Sequence, residues 1–164
     1  MTSALIGGPL GEMMARHAAA GQVQGIYTRA QRRETVSSVT DVDVTEDGLV
    51  GDHGRKGKRA VTLFQAEHLA VIAALLGQKL SDARPLRRNL VVSGINLVAL
   101  RGREISVGTC RLFVHGPCPP CSRMEETFGP GGYSAVLGHG GVYAEFTHPG
   151  HVAIGSTVLL SPPD

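Results

Sequence analysis

The sequence predicts a mainly β protein with peripheral helices, built as a barrel. Three observations lead there. Short runs rich in Val, Ile, Thr and Phe recur along the whole chain, and only one stretch carries a clear helical rhythm. Glycine is frequent at 22 residues and proline stands at 9, so turns are many and long helices few. At 164 residues the chain is long enough to bury one core and is read as a single domain.

The elements follow in order. "PLGEMMARHAAA" (9–20) places Leu10, Met13, Met14 and His17 at helical spacing, with Gly21 as its stop. "VQGIYT" (23–28) and "VTDVDVT" (39–45) read as strands, the second alternating through Val42 and Val44 before an Asp47-Gly48 turn. "RAVTLF" (59–64) is a strand, and "QAEHLAVIAALLG" (65–77) is the helix, with Ala66, Leu69, Ala70, Ala73 and Leu76 on one face. "NLVVSG" (89–94), "EISVG" (104–108) and "CRLFVH" (110–115) are short strands between glycine turns. "SRMEETF" (122–128) is a helical turn or two, and residues 129–141 form a glycine-rich loop. "VYAEF" (142–146) and "VAIGSTVLL" (152–160) complete the strands. The domain therefore runs over 23–164. Residues 1–22 stand before it as a helix or extension, whether closing the barrel, forming a homodimer contact or leading in disordered.

Composition excludes several classes of function. A net charge of +2 is too mild for nucleic-acid binding, and 4% aromatic residues provide no stacking platform for single strands. No run reaches the roughly 18 apolar residues of a membrane span. No basic segment followed by an apolar core marks a signal peptide, so the cytoplasm is the expected compartment. Three cysteines do not suggest a disulfide scaffold. Basic residues cluster at "RAQRR" (29–33), "RKGKR" (55–59) and "RPLRR" (84–88), either as solvated loops or as the wall of a phosphate pocket.

The chemistry-bearing segment is "VHGPCPPCSRMEE" (114–126), a Cys-Pro-Pro-Cys pair at a strand-to-helix corner. A zinc site would need a second ligand pair, and only His115 and His139 are on offer. A thioredoxin-like dithiol would need βαβ surroundings that the remaining glycine loops and strands do not supply. Two small packed thiols at a proline-stiffened corner are the remaining reading. Further along, "PLRRNLVVSG" (85–94) sets Arg87 and Asn89 two apart, on one side of an extended chain, suited to a phosphate or the edge of a heterocycle. "DGLVGDHGRKGKRAVTLF" (47–64) places Asp52 and His53 in a glycine-rich basic loop before a strand.

Taken in order, "GLVGDHG", "RRNLVVSG", "ISVGTCRLFV", "PCPPCSRMEETFG" and "GVYAEF" with "IGSTVLL" resemble the MOSC family, over roughly residues 23–160. It is most similar to the small stand-alone bacterial members. The resemblance implies a closed β-barrel of the pyruvate-kinase insert type and a bound molybdenum cofactor, a pyranopterin with a terminal phosphate and a dithiolene holding Mo. It implies Cys121 as metal ligand and catalytic residue, from the run Pro120-Cys121-Ser122-Arg123-Met124 with Phe128-Gly129 beyond, and Cys118 as an accessory thiol. A soft metal suits a thiolate, and the N–H groups at a helix start favour one. Arg87 and Asn89 are expected on the pterin or its phosphate, with Asp52, His53 and Arg123 directed to the same pocket. Gln65, at the helix start, is expected to place backbone N–H groups near the phosphate. The implied activity is an oxidoreductase acting on a small-molecule substrate, an N-hydroxylated base or related compound. Its electrons come from a separate flavoprotein or ferredoxin-type donor, since the sequence carries no flavin or iron–sulfur motif. A persulfide carrier or cofactor-handling protein is the alternative.

Overall fold

The computed structural model describes residues 7–162. A first helix, α1 (Gly8–Met14), is shorter than the spacing predicts and buries none of its residues. The first strand, β1 (Gly21–Thr28), begins two residues before the expected start. The predicted strand over 39–45 is divided into β2 (Ser37–Val39) and β3 (Asp41–Thr45), and the Asp47-Gly48 turn leads to a two-residue strand, β4 (Gly48–Leu49). After them come β5 (Val61–Gln65), α2 (His68–Leu76), β6 (Leu90–Ser93), β7 (Glu104–Val107) and β8 (Cys110–Pro117). The chain ends through α3 (Ser122–Phe128), α4 (Gly132–Val136), β9 (Val142–His148), β10 (Gly150–Ala153) and β11 (Thr157–Leu160).

Seven strands close on themselves in the order β1-β11-β7-β8-β9-β5-β6, and β6 returns to β1. All neighbours are antiparallel except β5 and β6, whose parallel pairing is allowed by the helical crossover between them. Alternation fills the barrel: Ile105 and Val107, Leu112 and Val114, and Val142 and Ala144 are all inside and nearly or fully buried. A register shift between Val23 and Gly25 lets β1 turn both Val23 and Ile26 inward although they lie three apart. The small sheet β10-β3-β4 adds Val42, Val44, Leu49 and Val152 to the same core.

β5 is buried on both faces, which is why "VTLF" reads as a continuous apolar run. Leu63 belongs to the barrel core. Phe64 belongs to a second cluster, with Ile72 of α2, Leu86, Val91, Met124 and Phe128 of α3, and Val136 of α4. The helices therefore form an outer layer over β5 and β6. Helix α4 is the element that glycine content concealed. Gly131 opens it at φ 93°, and the Glu125 carboxylate accepts from the backbone N–H groups of Gly131 (3.0 Å) and Tyr133 (2.9 Å).

On the outer face of the small sheet, His151 stands between two carboxylates, Nδ1 2.8 Å from Asp43 and Nε2 3.0 Å from Asp41. Both ring nitrogens can donate only in the imidazolium. The hydrogen bond to Asp43, with the Asp41 charge beside it, holds the His151 pKa above its ordinary 6.5. A raised folded value adds stability that is complete below pH 6.5 and fades as pH climbs through the folded pKa. In an NMR titration His151 should titrate above 6.5 and move back toward it in Asp43→Asn; a wild-type value at or below 6.5 would rule the clamp out.

Candidate functional site

The pocket lies where the outer helical layer meets the barrel, beside the end of β1, the approach to β6 and the start of α3. It has a volume of about 450 Å³, and its wall includes Arg29, Arg32, Arg33, Arg87, Arg88, Arg123 and Cys121, with Glu126 the one carboxylate among its lining residues. Six guanidinium groups around one hollow repel each other unless an anion joins them.

Local structure delivers each of them. Arg29 follows the last residue of β1, and Asp52 and His53 fasten it there. The Arg29 N–H donates to Asp52 Oδ1 at 3.0 Å, and its Nε donates to His53 Nε2 at 2.8 Å. His53 must then be the neutral tautomer protonated on Nδ1. Asp52 Oδ2 also accepts from Gly54 N–H at 3.1 Å, so the aspartate fixes its own loop as well. The sequence expectation placed Asp52 and His53 on the ligand; their polar atoms instead act through Arg29. Burial first, then the neighbouring Arg87, pushes the Arg29 pKa below its ordinary value, with Asp52 opposing.

Arg87 closes a 3-10 turn over Arg84–Leu86 in the left-handed conformation, φ 60°. This corrects the expectation that Arg87 and Asn89 share one face of an extended strand: β6 begins only at Leu90, and the two side chains part. The Arg87 guanidinium donates to the Glu34 carbonyl at 2.6 Å, and its buried Nε has no partner among the described residues. Burial, then Arg123, lowers its pKa. Arg88 donates to the Gly140 carbonyl at 2.7 Å and so ties the pocket to the glycine loop.

Asn89 faces a different task. Its Oδ1 accepts from the Thr62 N–H (3.0 Å) and hydroxyl (3.2 Å), and its Nδ2 donates to the Tyr27 carbonyl at 3.1 Å. The amide thus bridges β1 and β5 across the mouth of β6. Gln65 is likewise corrected. It ends β5, three residues before α2 starts, and lies 7% exposed. Its Oε1 accepts from Leu97 N–H at 2.9 Å, its Nε2 donates to Glu67 at 2.7 Å, and it does not line the pocket.

The three thiols differ sharply. Cys110 is sealed in the barrel, its Sγ donating to the Val107 carbonyl at 2.9 Å, and burial pushes its pKa to about 12. Cys118 is buried too. Its N–H donates to the Gly141 carbonyl at 2.8 Å, and burial pushes the thiol up against the opposing pull of Arg88 and Arg59. Cys121 is exposed, occupies the N-cap of α3 in an extended conformation and lines the arginine pocket. Its carbonyl accepts from Met124 N–H at 2.9 Å, which starts the helix and carries Arg123 into the wall.

Among the described residues no group of three His, Cys, Asp or Glu side chains is arranged to hold a metal ion. A metal bound through Cys121 must therefore bring further ligands with it, as a dithiolene cofactor does. The unpartnered Arg87 Nε, the surplus of guanidinium groups and one soft donor fit a molecule with an anionic tail and a thiophilic metal. What sequence reasoning did not assign was Arg29, Arg32, Arg33 and Arg88. The "RAQRR" and "RPLRR" clusters carried the signal for them. No helix among the described residues is long and apolar enough to cross a membrane.

Fold and site together define a small β-barrel with a thiol set in an arginine-lined pocket. A family model described as the MOSC domain matches residues 50–159, and the chain belongs to that family, whose domains are associated with molybdenum-cofactor binding. The match includes Arg87, Arg88, Cys121 and Arg123, while Arg29, Arg32 and Arg33 lie before it. Among solved structures, the YuaD protein from Bacillus subtilis superposes with a TM-score of 0.74 at 19% identity, over 85% of this chain and 94% of its own. YiiM from Geobacillus stearothermophilus gives a TM-score of 0.70 at 19% identity, over 87% of this chain and 75% of its own. YiiM from Escherichia coli gives 0.67 at 19% identity, over 87% and 71%. No curated protein matches the sequence significantly. The expected closed barrel is thus the observed fold, shared with these stand-alone proteins.

Proposed function

We propose that this protein binds the molybdenum cofactor, with Cys121 Sγ as the protein ligand to Mo, and works as an oxidoreductase on N-hydroxylated bases or related small molecules. One observation carries the reading: the exposed thiol opens into the same hollow as Arg29, Arg87, Arg88 and Arg123. A soft donor beside concentrated positive charge matches the two ends of a metal-bearing, phosphorylated pterin.

Arg87 and Arg123 would take the phosphate, with the free Arg87 Nε as one donor. Arg29, held in place by Asp52 and His53, adds a preorganised third cation. Cys118 stays a packed accessory thiol, and its bond to Gly141 steadies the corner that presents Cys121. When bound, the cofactor supplies the redox chemistry. Electrons then come from a separate flavoprotein or ferredoxin-type protein.

Wild type purified from a cofactor-competent host should carry near-stoichiometric Mo and a fluorescent oxidised pterin. In Cys121→Ser the Mo content should fall by roughly tenfold or more, the least expected for losing a direct ligand. Wild type without Mo and pterin would overturn the cofactor reading. Turnover of 6-hydroxylaminopurine with a reducing partner tests the activity. The exposure of Cys121 also suits a persulfide carrier; a sulfane-sulfur adduct on Cys121 without reductase turnover would favour that role.

A further inference from the structure

Charge on this molecule is segregated, although 16 basic residues nearly balance 14 acidic ones. Arg32, on the wall of the arginine pocket, also borders a second, open hollow of about 880 Å³ along the loop before β5. The two walls are bonded to each other as well: Arg29 of the pocket donates to His53 of the hollow at 2.8 Å. The second hollow adds Arg55, Lys56, Lys58 and Arg59, and no carboxylate. Ten of the 16 basic residues therefore line these two adjoining hollows, against Glu126 alone of the 14 acidic ones. Lys56 pairs with Glu46 at 3.2 Å, and the Arg59 guanidinium stands over the Tyr143 ring at 4.6 Å. Arg32, Arg55 and Lys58 are exposed and have no ion pair among the described residues.

The outer hollow is too open to enclose a small molecule. A broad exposed field of one sign acts instead on the surface of a partner, steering its encounter and fixing its orientation. Resting on the cofactor reading above, we propose that this face is where the electron donor docks, and that the donor is a small one-electron carrier protein with an acidic surface. The reading itself requires such visits. Reducing an N–OH group to N–H and water consumes two electrons from the donor and two protons from solvent, so the carrier docks twice per turnover. Repeated short visits suit a small, charge-steered contact rather than a large apolar one. A carrier seated on Arg55 and Lys58 lies at the rim of the cofactor pocket, on the side of Arg32 and Arg29.

Calorimetry on the full-length protein tests this with three carriers: an acidic [2Fe–2S] ferredoxin, an acidic flavodoxin, and a basic cytochrome c as control. At about 0.05 M salt wild type should bind at least one acidic carrier about tenfold or more tightly than the cytochrome. At about 0.5 M salt, where surface attraction is screened, that affinity should fall by about tenfold or more. Arg55→Glu/Lys58→Glu should weaken binding by roughly tenfold or more at low salt. Arg16→Glu/Lys79→Glu makes the same change of net charge at residues that line neither hollow, and should weaken it by less than about threefold. In holoprotein, Arg55→Glu/Lys58→Glu should raise the KM for the carrier and leave the substrate KM and the Mo content at wild-type values. The inference is overturned if neither acidic carrier outbinds the cytochrome, or if the two double variants weaken binding equally. It is overturned too if a short RNA or vesicles of phosphatidylcholine and phosphatidylserine bind more tightly than the carriers. A Mo-loaded protein that ignores both acidic carriers sinks the docking face and leaves the cofactor reading intact. Carriers that bind through Arg55 and Lys58 to a wild type lacking Mo and pterin sink the cofactor reading and leave the docking face.

Discussion

Gly141→Ala should destabilise the protein by about 3 kcal/mol or more, combining left-handed strain with overpacking against backbone. Gly141 sits at φ 91°, and an added Cβ would fall on the Leu63 carbonyl oxygen, close to the Leu63 carbon and the Phe64 Cα. These are backbone atoms of β5, the strand shared by both cores, and they cannot swing aside as a side chain can. Relief requires β9 to move off β5 where Val142 pairs with Leu63. The same displacement would strain the Gly141 carbonyl bond that holds Cys118, and with it the corner presenting Cys121. Gly138 provides the control. It lies in the same loop at φ 83°, with nothing within 4 Å of a built Cβ, so its alanine variant carries the conformational strain without the collision. Thermal melts should place Gly141→Ala roughly 6–12 °C below wild type for a chain of this size. Gly138→Ala should lose only about 1–2 kcal/mol. If the two variants melt together, the close approach of Gly141 to β5 is wrong.

Asn89→Ala should come next in size, at about 2–3 kcal/mol, because it removes one side chain that satisfies groups on two strands. The loss leaves the Thr62 N–H without its acceptor and the Tyr27 carbonyl without the amide donor. Thr62 still accepts from the Asn89 backbone N–H at 3.1 Å, and the Tyr27 N–H still reaches the Asn89 carbonyl at 2.7 Å, so the fold should survive with weaker closure between β1 and β5. Chemical denaturation should show the midpoint falling with an unchanged slope. On the cofactor reading, Mo content per folded molecule should stay at the wild-type level, since both polar atoms of the amide are engaged by β1 and β5 and Asn89 does not line the pocket. A variant of wild-type stability that lost its Mo would instead give Asn89 the binding role that its sequence context suggested.

The two substitutions bear on how much of this protein can be read from its residues. The β character was legible because alternation is local: Val42 and Val44, or Leu112 and Val114, announce an inward face without reference to any partner strand. Helix α2 was legible for the same reason, though only from His68 onward. Helix α4 was hidden, because "GPGGYSAVLGHGG" has the composition of a loop. What makes it helical lies elsewhere, in the Glu125 carboxylate that gathers its first N–H groups and in the packing of Val136 against Phe64 and Met124.

The site divides along the same line. Arg87 could be picked out by residue type in a basic run, Cys121 and Arg123 only through the family resemblance at the proline-stiffened corner, and all three line one pocket. Asp52 and His53 were noticed correctly as a pair, yet what the pair holds is Arg29, some 23 residues earlier in the chain. Residue chemistry by itself determined that this would be a glycine-rich β protein with a corner thiol pair and surplus arginines, because those properties travel with each side chain. Only the closed barrel decided which polar groups remain free. Asn89 is taken up by neighbouring backbone and the Thr62 hydroxyl, Gln65 by the Leu97 N–H and the Glu67 carboxylate, Cys110 and Cys118 are buried, and Cys121 is left open among the arginines. A side chain's availability depends on the partners that folding brings within about 3 Å, and no local pattern encodes that.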